Sequence, residues 1–318
     1  MISQEKRALV LGSNGQDGSY LVEHLLRRGY SVSGLARSKS VLVPHARFTP
    51  VQFDLRHAAQ LPDLLLKLRP QLIFHVAAVH GRAGTPYETV WQDMLAVNVG
   101  SVHPVLEYLR QHCPGGGLIY AGSSKSFGPV FPPVITEQSP ISSSCLYTVT
   151  KNAARDLIAC YRRDHGVTAS VLHLFQHESE RRGPEFFIPK LLWTLGKAIE
   201  DRSEKTEFGP LDFYCDWGSA SEYMDIAIDL AERGAGDDVL VATGTTWLAR
   251  DLAEKVFAKH GLNYRDHVVE TGSGDGADRS FKVSVEGLRK LAGRVPQIKL
   301  LDLCETILHG LPKHEGVQ

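Results

Sequence analysis

The sequence predicts an α/β protein: a doubly wound parallel sheet carrying a smaller C-terminal α/β unit. Three observations predict it. Short apolar or β-branched runs alternate with longer amphipathic ones through the first half of the chain, a glycine-rich turn stands between the first strand and the first helix, and the alternation breaks down beyond about residue 177. Parallel βαβ units produce such alternation because their crossover helices must cover both faces of the sheet.

Taken in order, RALVLG is the first strand and SYLVEHLLRRG the helix after it. YSVSGLAR and FTPVQFDL are the second and third strands, the third ending at Asp54 and Leu55, and AAQLPDLLLKLRP is the next helix. QLIFHVAA is the fourth strand, a helical region covers roughly 86–112, and GLIYAGS is the fifth strand, ending at Ser123. A long helix at 145–165 and a sixth strand, TASVLHLFQ, complete the pattern. Beyond it, RRGPEFF, EFGPLDFY and TGSGDGADRS supply Gly, Pro and Asp loops between isolated helices and one strand, DVLVATG. The expected division is 1–176 for the sheet domain and 177–318 for the smaller one, packed over the carboxyl ends of the strands, with a strand near 238–244 able to return to the first domain.

The chain has 318 residues, 43% of them apolar, enough for one large core or two joined ones. Its net charge of −1, with acids and bases mixed along the length, gives no footprint for nucleic acid or an anionic membrane surface. No window approaches the ~18 consecutive apolar residues of a membrane span, and MISQEKRALVLG lacks a signal peptide's apolar stretch. The expectation is a cytoplasmic protein. The five cysteines are scattered without a CxxC pair, so neither a disulfide framework nor a zinc knuckle is indicated.

Gly12, Gly15 and Gly18 form G-x-x-G-x-x-G between the first strand and its helix. Missing side chains there allow a tight turn and let a pyrophosphate approach the helix N-terminus, so the reading is a dinucleotide site, with a plain turn as the alternative. Where an Asp or Glu would hold a ribose 2′-hydroxyl, the second strand ends in Arg37, Ser38 and Lys39. A 2′-phosphate suits them better, favouring NADP over NAD; the plain alternative is a solvated basic loop. Asp54 and Leu55 would edge the adenine.

Tyr147 and Lys151 lie four apart on the long helix and therefore share one face. With Ser123 upstream, they follow the layout of short-chain dehydrogenases and reductases. In such a site the ammonium lowers the phenol pKa, the phenol exchanges a proton with a sugar hydroxyl or carbonyl, and the serine holds the same oxygen. A hydride passes to or from the nicotinamide.

GSNGQDGSYLVEHLLRRGY, FDLR, HVAA, LFQHESERRG, CDWGSASEY and VATGTT together resemble GDP-mannose 4,6-dehydratase, an extended short-chain dehydrogenase/reductase, over roughly residues 7–260. The resemblance implies NADP held by Gly12, Asn14, Gly15, Gln16 and Asp17, by Arg37, Ser38, Lys39 and Ser40, by Asp54 and Leu55, by the Val76, Ala77, Ala78 and His80 turn, and by Lys151, His177 and Arg182. It also implies a GDP-sugar held by the second domain and a homo-oligomer. A dimer through the helices at 86–112 and 145–165 is expected, with a tetramer as the alternative.

Three positions depart from the family pattern. Lys125 stands where the family has the glutamate that removes the C5 proton before water leaves C6. An ordinary lysine of pKa ~10.4 is protonated at neutral pH and cannot accept that proton. Gln176 replaces an asparagine, and Cys215 replaces an arginine that would clamp a diphosphate. Lys190 or Arg279 could take over that charge, the alternative being that both are surface cations. His173, His177 and Glu178 carry no metal in this reading, since four residues of strand span about 13 Å.

The preferred reading is an NADP-dependent oxidoreductase of a nucleotide-linked hexose, acting at C4 through Ser123, Tyr147 and Lys151, in a pocket with no negative side chain placed to pull hydrogen off carbon. The alternatives are a dehydratase in which Lys125 or another group serves as the base, and a cofactor-binding homologue without turnover.

Overall fold

A computed structural model describes residues 5–38, 43–81, 86–272 and 279–311 of the chain. The first half contains β1 (Arg7–Leu11), α1 (Gln16–Arg27), β2 (Ser31–Ala36), β3 (Phe48–Gln52), α2 (Leu61–Leu68), β4 (Leu72–His75), α3 (Trp91–Leu95), α4 (Val102–His112), β5 (Gly117–Ala121), β6 (Val134–Ile135) and α5 (Leu146–His165). The second contains β7 (Thr168–Leu174), β8 (Gln176–Glu178), α6 (Phe187–Glu200), β9 (Thr206–Phe208), β10 (Tyr214–Ser219), α7 (Ala220–Glu232), β11 (Asp238–Val241), β12 (Thr246–Leu248), α8 (Ala249–Ala258), β13 (Val268–Glu270), β14 (Lys282–Val283), α9 (Glu286–Ala292) and α10 (Leu300–Gly310).

Seven parallel strands form the main sheet in the order β11-β7-β5-β4-β1-β2-β3. β1 shows why its sequence is continuously apolar: Ala8 and Val10 pack into the layer containing α1 and α7, while Leu9 and Leu11 pack into the opposite layer of α2, α4 and α5. Buried on both faces, a parallel strand gains nothing from polar alternation. Strand order reverses between β1 and β4, so the loops leaving their carboxyl ends diverge and leave a crevice at that point.

The sheet has one strand more than the six of the regular sequence pattern. β11, from the DVLVATG run, pairs parallel with β7, and Arg162 (2.7 Å) and Arg155 bind Asp238 at its start. Three strand ends also differ from the sequence reading. β3 stops at Gln52 because Asp54 caps a 3₁₀ turn, accepting from Arg56 N at 3.0 Å. β5 stops at Ala121 because Ser123 Oγ caps another, accepting from Lys125 N at 3.2 Å. β7 ends at Leu174, and after Phe175 the chain enters β8, which pairs with β10 in a separate small sheet.

That small sheet, β12-β10-β8, adjoins a third core built from α6, α8 and α10 around Leu192, Trp217, Phe257 and Ile307. No helix among the described residues is long and apolar enough to cross a membrane.

Candidate active site

The glycine turn closes at the switch point. Gly12 has φ +98°, and a Cβ there would lie 2.8 Å from Ala77 N. Both Val76 N and Ala77 N donate to Leu11 O, pressing the β4 turn onto β1. A Cβ at Gly18 would come within 2.0 Å of Gly12 O, so only glycine lets α1 start this close to the turn. Gly15, the N-cap, offers no side-chain acceptor. The first N–H groups of α1 thereby suit an anionic ligand laid against the turn.

Around this cradle, Asn14 Nδ2 donates to Ser38 Oγ at 3.1 Å, tying the turn to the end of β2. Arg37 is exposed, and its carbonyl accepts from Gln52; Lys39 and Ser40 lie outside the described residues. Leu55 is buried, whereas the Asp54 carboxylate is clamped by the Arg56 guanidinium (2.6 Å), which holds it down at about 2. Ala78 and His80 are exposed at the β4 turn.

Strand alternation on β8 separates three neighbouring residues into two jobs. His177 points to α1, where its Nε2 lies 3.0 Å from Asp17 Oδ1. Burial pushes the Asp17 carboxyl up, but the His177 charge and hydrogen bond outweigh it and leave Asp17 below its usual range. Burial likewise opposes the His177 charge, and Asp17 more than restores it, so His177 is raised. Gln16 Nε2 adds a bond to His177 O, and Gln16 Oε1 accepts from Ser179. Gln176 and Glu178 instead line a cleft of about 540 Å³.

Tyr147 and Lys151 stand together on α5, both buried. Lys151 Nζ donates to Ala121 O at 2.7 Å and lies 5.7 Å from the Tyr147 ring centre and 4.7 Å from that of Tyr120. Burial drives the ammonium down to about 7, with the Asp17 charge pulling it back. Burial also holds the Tyr147 phenol above its usual range, and a hydrogen bond with Ser123 works against this. A buried, sparsely solvated corner disfavours both charged forms at once.

Lys125, on the 3₁₀ turn after Ser123 and in the cleft lining, holds its Nζ 3.3 Å from His80 Nε2. The His80 ring packs edge-to-face on Tyr147 with centres 4.5 Å apart. Ser123, Lys125, Tyr147, Lys151 and His80 are thus brought together. Of the residues assigned to the sugar, Gln176 lines the cleft. Lys190 Nζ is bound to Glu207 O over the Phe208 ring, and Arg279 is an exposed residue outside the cleft lining.

The expected pocket without a negative side chain needs correction, because Glu178 is in the cleft lining. Its alternation with His177 placed it there, and burial pushes it up to about 7. Its Oε2 is closed off without a hydrogen-bond partner, 3.6 Å from Arg182 Nε. Arg182 in turn stacks over Phe186 at 3.6 Å. The sequence reading also missed the aromatic wall of Tyr87, Phe175, Phe187, Phe213, Trp217 and Phe281; the aromatic clusters EFF and LDFY were its only signal. It missed Asn98 too. This buried residue in a π-helical turn bonds both Val79 backbone groups and Thr150 Oγ1, joining the β4 turn to α5. Among the described residues no three His, Cys, Asp or Glu side chains are grouped to share an ion.

Residues 9–290 match the family model described as GDP-mannose 4,6 dehydratase. GDP-mannose 4,6 dehydratase 1 of Arabidopsis thaliana is 32% identical over 286 residues, covering 84% of this chain and 78% of that one. Among solved structures, dTDP-glucose 4,6-dehydratase from Bacillus anthracis, in complex with NAD, superposes with a TM-score of 0.81 at 16% identity, covering 96% of each chain. RMD from Pseudomonas aeruginosa, complexed with NADPH, gives a TM-score of 0.78 at 20% identity, covering 96% of this chain and 99% of that one.

Proposed function

The chain belongs to the GDP-mannose 4,6-dehydratase family, and from that premise we propose that it is an NADP-dependent oxidoreductase of a GDP-linked hexose. It moves hydride at the sugar C4, as a 4-keto reductase or as the corresponding dehydrogenase, without eliminating water. The observation that carries this reading is Lys125. It stands beside an intact Ser123, Tyr147 and Lys151 set, where the resemblance leads one to expect a glutamate, and its Nζ contacts His80.

A nicotinamide cofactor, when bound, supplies the hydride donor or acceptor. Gly12, Gly15, Gly18 and the open end of α1 would hold its pyrophosphate, and Arg37 its 2′-phosphate. The solved neighbours carrying NAD and NADPH support a ligand of this class. Ser123 Oγ and the Tyr147 phenol would hold the C4 oxygen between them. Because burial keeps the phenol protonated at neutral pH, Tyr147 is ready to donate to a carbonyl oxygen as C4 is reduced. Lys151, titrating near 7, is the adjacent group able to resupply that proton. Gln176 and the aromatic wall would receive the nucleotide-sugar. The exposed Leu95 and Val149, on α3 and α5, support a homodimer through these helices.

Glu178 favours one second reading, a dehydratase whose base is this carboxylate rather than a residue at position 125. One assay separates the two. The protein is incubated with GDP-mannose and NADP, and separately with the 4-keto-6-deoxy sugar nucleotide and NADPH. The expected result is NADPH consumption in the second mixture and no 6-deoxy product in the first; dehydration of GDP-mannose would overturn the proposal.

A further inference from the structure

We propose that this cleft prefers a nucleotide-linked hexose carrying a carboxylate at C6, a hexuronic acid, over the same sugar without that charge, and that Lys125 holds the carboxylate. The inference rests on the C4 reading above and extends it to the substituent next to C4.

The tautomer of His80 sets the geometry. Its Nδ1 lies 2.6 Å from Gly81 O, which can only accept, so Nδ1 carries the hydrogen and Nε2 presents a lone pair. The 3.3 Å contact is therefore a Lys125 N–H donating to a neutral ring. The ammonium is oriented without being neutralised, and two of its three donors remain for a ligand. Among the described residues Lys125 makes no ion pair. The other charged group of the lining, Glu178, faces Arg182. What remains of the lining is aromatic or uncharged, and the Lys125 ammonium itself is exposed, open to an incoming anion.

Position then selects the anion. Through the edge-to-face contact of His80 with Tyr147, the ammonium is held one side chain away from the phenol that takes the reacting oxygen. In a hexopyranose, C6 hangs from C5, the ring neighbour of C4, so a C6 carboxylate is the anionic group nearest the reacting carbon, whereas the diphosphate is attached at C1. A C6 carboxylate also offers no C6 hydroxyl to expel, so such a substrate has no use for a base that initiates water loss. In the oxidative direction a bound nicotinamide would take the C4 hydrogen as hydride, and the hydroxyl proton would pass to Tyr147 as the phenol passes its own proton to Lys151; reduction is the reverse.

Trp217 lines the cleft and provides a fluorescence signal. The NADP-loaded protein is titrated with two pairs of ligands differing only at C6: GDP-mannose against GDP-mannuronate, and UDP-glucose against UDP-glucuronate. Tighter binding of the uronate by roughly tenfold is expected in at least one pair, the scale of one charge-assisted contact. Lys125→Met should abolish the preference, Lys125→Arg keep it, and Lys125→Glu reverse it, with thermal unfolding confirming that each variant folds. Equal affinities within both pairs, no measurable binding of either uronate, or a preference that survives Lys125→Met would overturn the proposal. Nicotinamide absorbance is followed separately. Uronate preference without turnover of any of the four sugars with NADP, or of their 4-keto forms with NADPH, would refute the C4 reading and leave the carboxylate contact standing, while turnover without uronate preference would do the opposite.

Discussion

Replacing Lys151 by methionine is expected to change how stability depends on pH, by an amount that follows from its burial. The unfolded chain holds this proton up to the ordinary value of 10.5, whereas the folded protein releases it near 7. Between those values the unfolded state binds more protons, so stability rises with pH; the penalty is fully present below 7 and gone above 10.5. Linkage puts the cost of the buried ammonium at about 4 kcal/mol at pH 7 and about 1 kcal/mol at pH 9.5. Methionine has no such term, and the two imidazoles that the Lys151 charge pushes down, His75 and His80, are also lowered by burial and lie below the pH range compared. Urea denaturation of wild type and Lys151→Met at the two pH values should therefore show their stability difference moving by about 3 kcal/mol in favour of the wild type as pH rises. Loss of the donor to Ala121 O adds a constant offset. A stability difference that stays the same at both pH values would show that Lys151 keeps its proton in the folded protein, and the proton-resupply role proposed for it would fall.

Two further outcomes test the cofactor end. Asp17→Asn leaves the buried His177 without its carboxylate and should cost about 3 kcal/mol. Because His177 is raised above 6.5, the stability it draws from Asp17 is complete below that value and is lost as pH climbs through the raised pKa. Thermal melts should accordingly show a larger loss at pH 6 than at pH 9, and an equal loss at both would rule out a charged pair. Arg37→Ala should weaken NADPH binding by roughly tenfold while leaving NADH unchanged, the scale of one charge-assisted phosphate contact. Isothermal titration with both nucleotides measures this, and parallel losses would refute a 2′-phosphate role.

The periodicity of residues 7–174 was enough to predict a parallel sheet with helices on both faces, because strands buried on two sides and helices buried on one leave different, local hydrophobic signatures. The glycine turn was legible for a related reason: Gly12 and Gly18 answer to backbone contacts within a few residues and at the adjacent β4 turn. The Tyr147 and Lys151 pair was legible because helical spacing alone puts both on one face. Other features depended on contacts between distant segments. Leaving β3 at Gln52 depends on an Asp54 cap, and the location of β11 beside β7 depends on Arg155 and Arg162 reaching Asp238 across more than seventy residues. Asn98 gave no spacing signal, since its partners lie in two other segments.

The charges of the cleft show the division most clearly. From its residues alone, the chain declared an α/β dinucleotide-type framework and, close to Ser123 in sequence, the lysine at position 125. Only folding decided that Lys125 would lean on His80, that Glu178 would sit in the cleft lining while His177 turned to Asp17, and that burial would bring Lys151 to about 7. The physical reason is range. Propensity and periodicity act within a turn of helix or a pair of strand residues, whereas desolvation and ion pairing are set by whichever side chains the finished topology brings within a few ångströms.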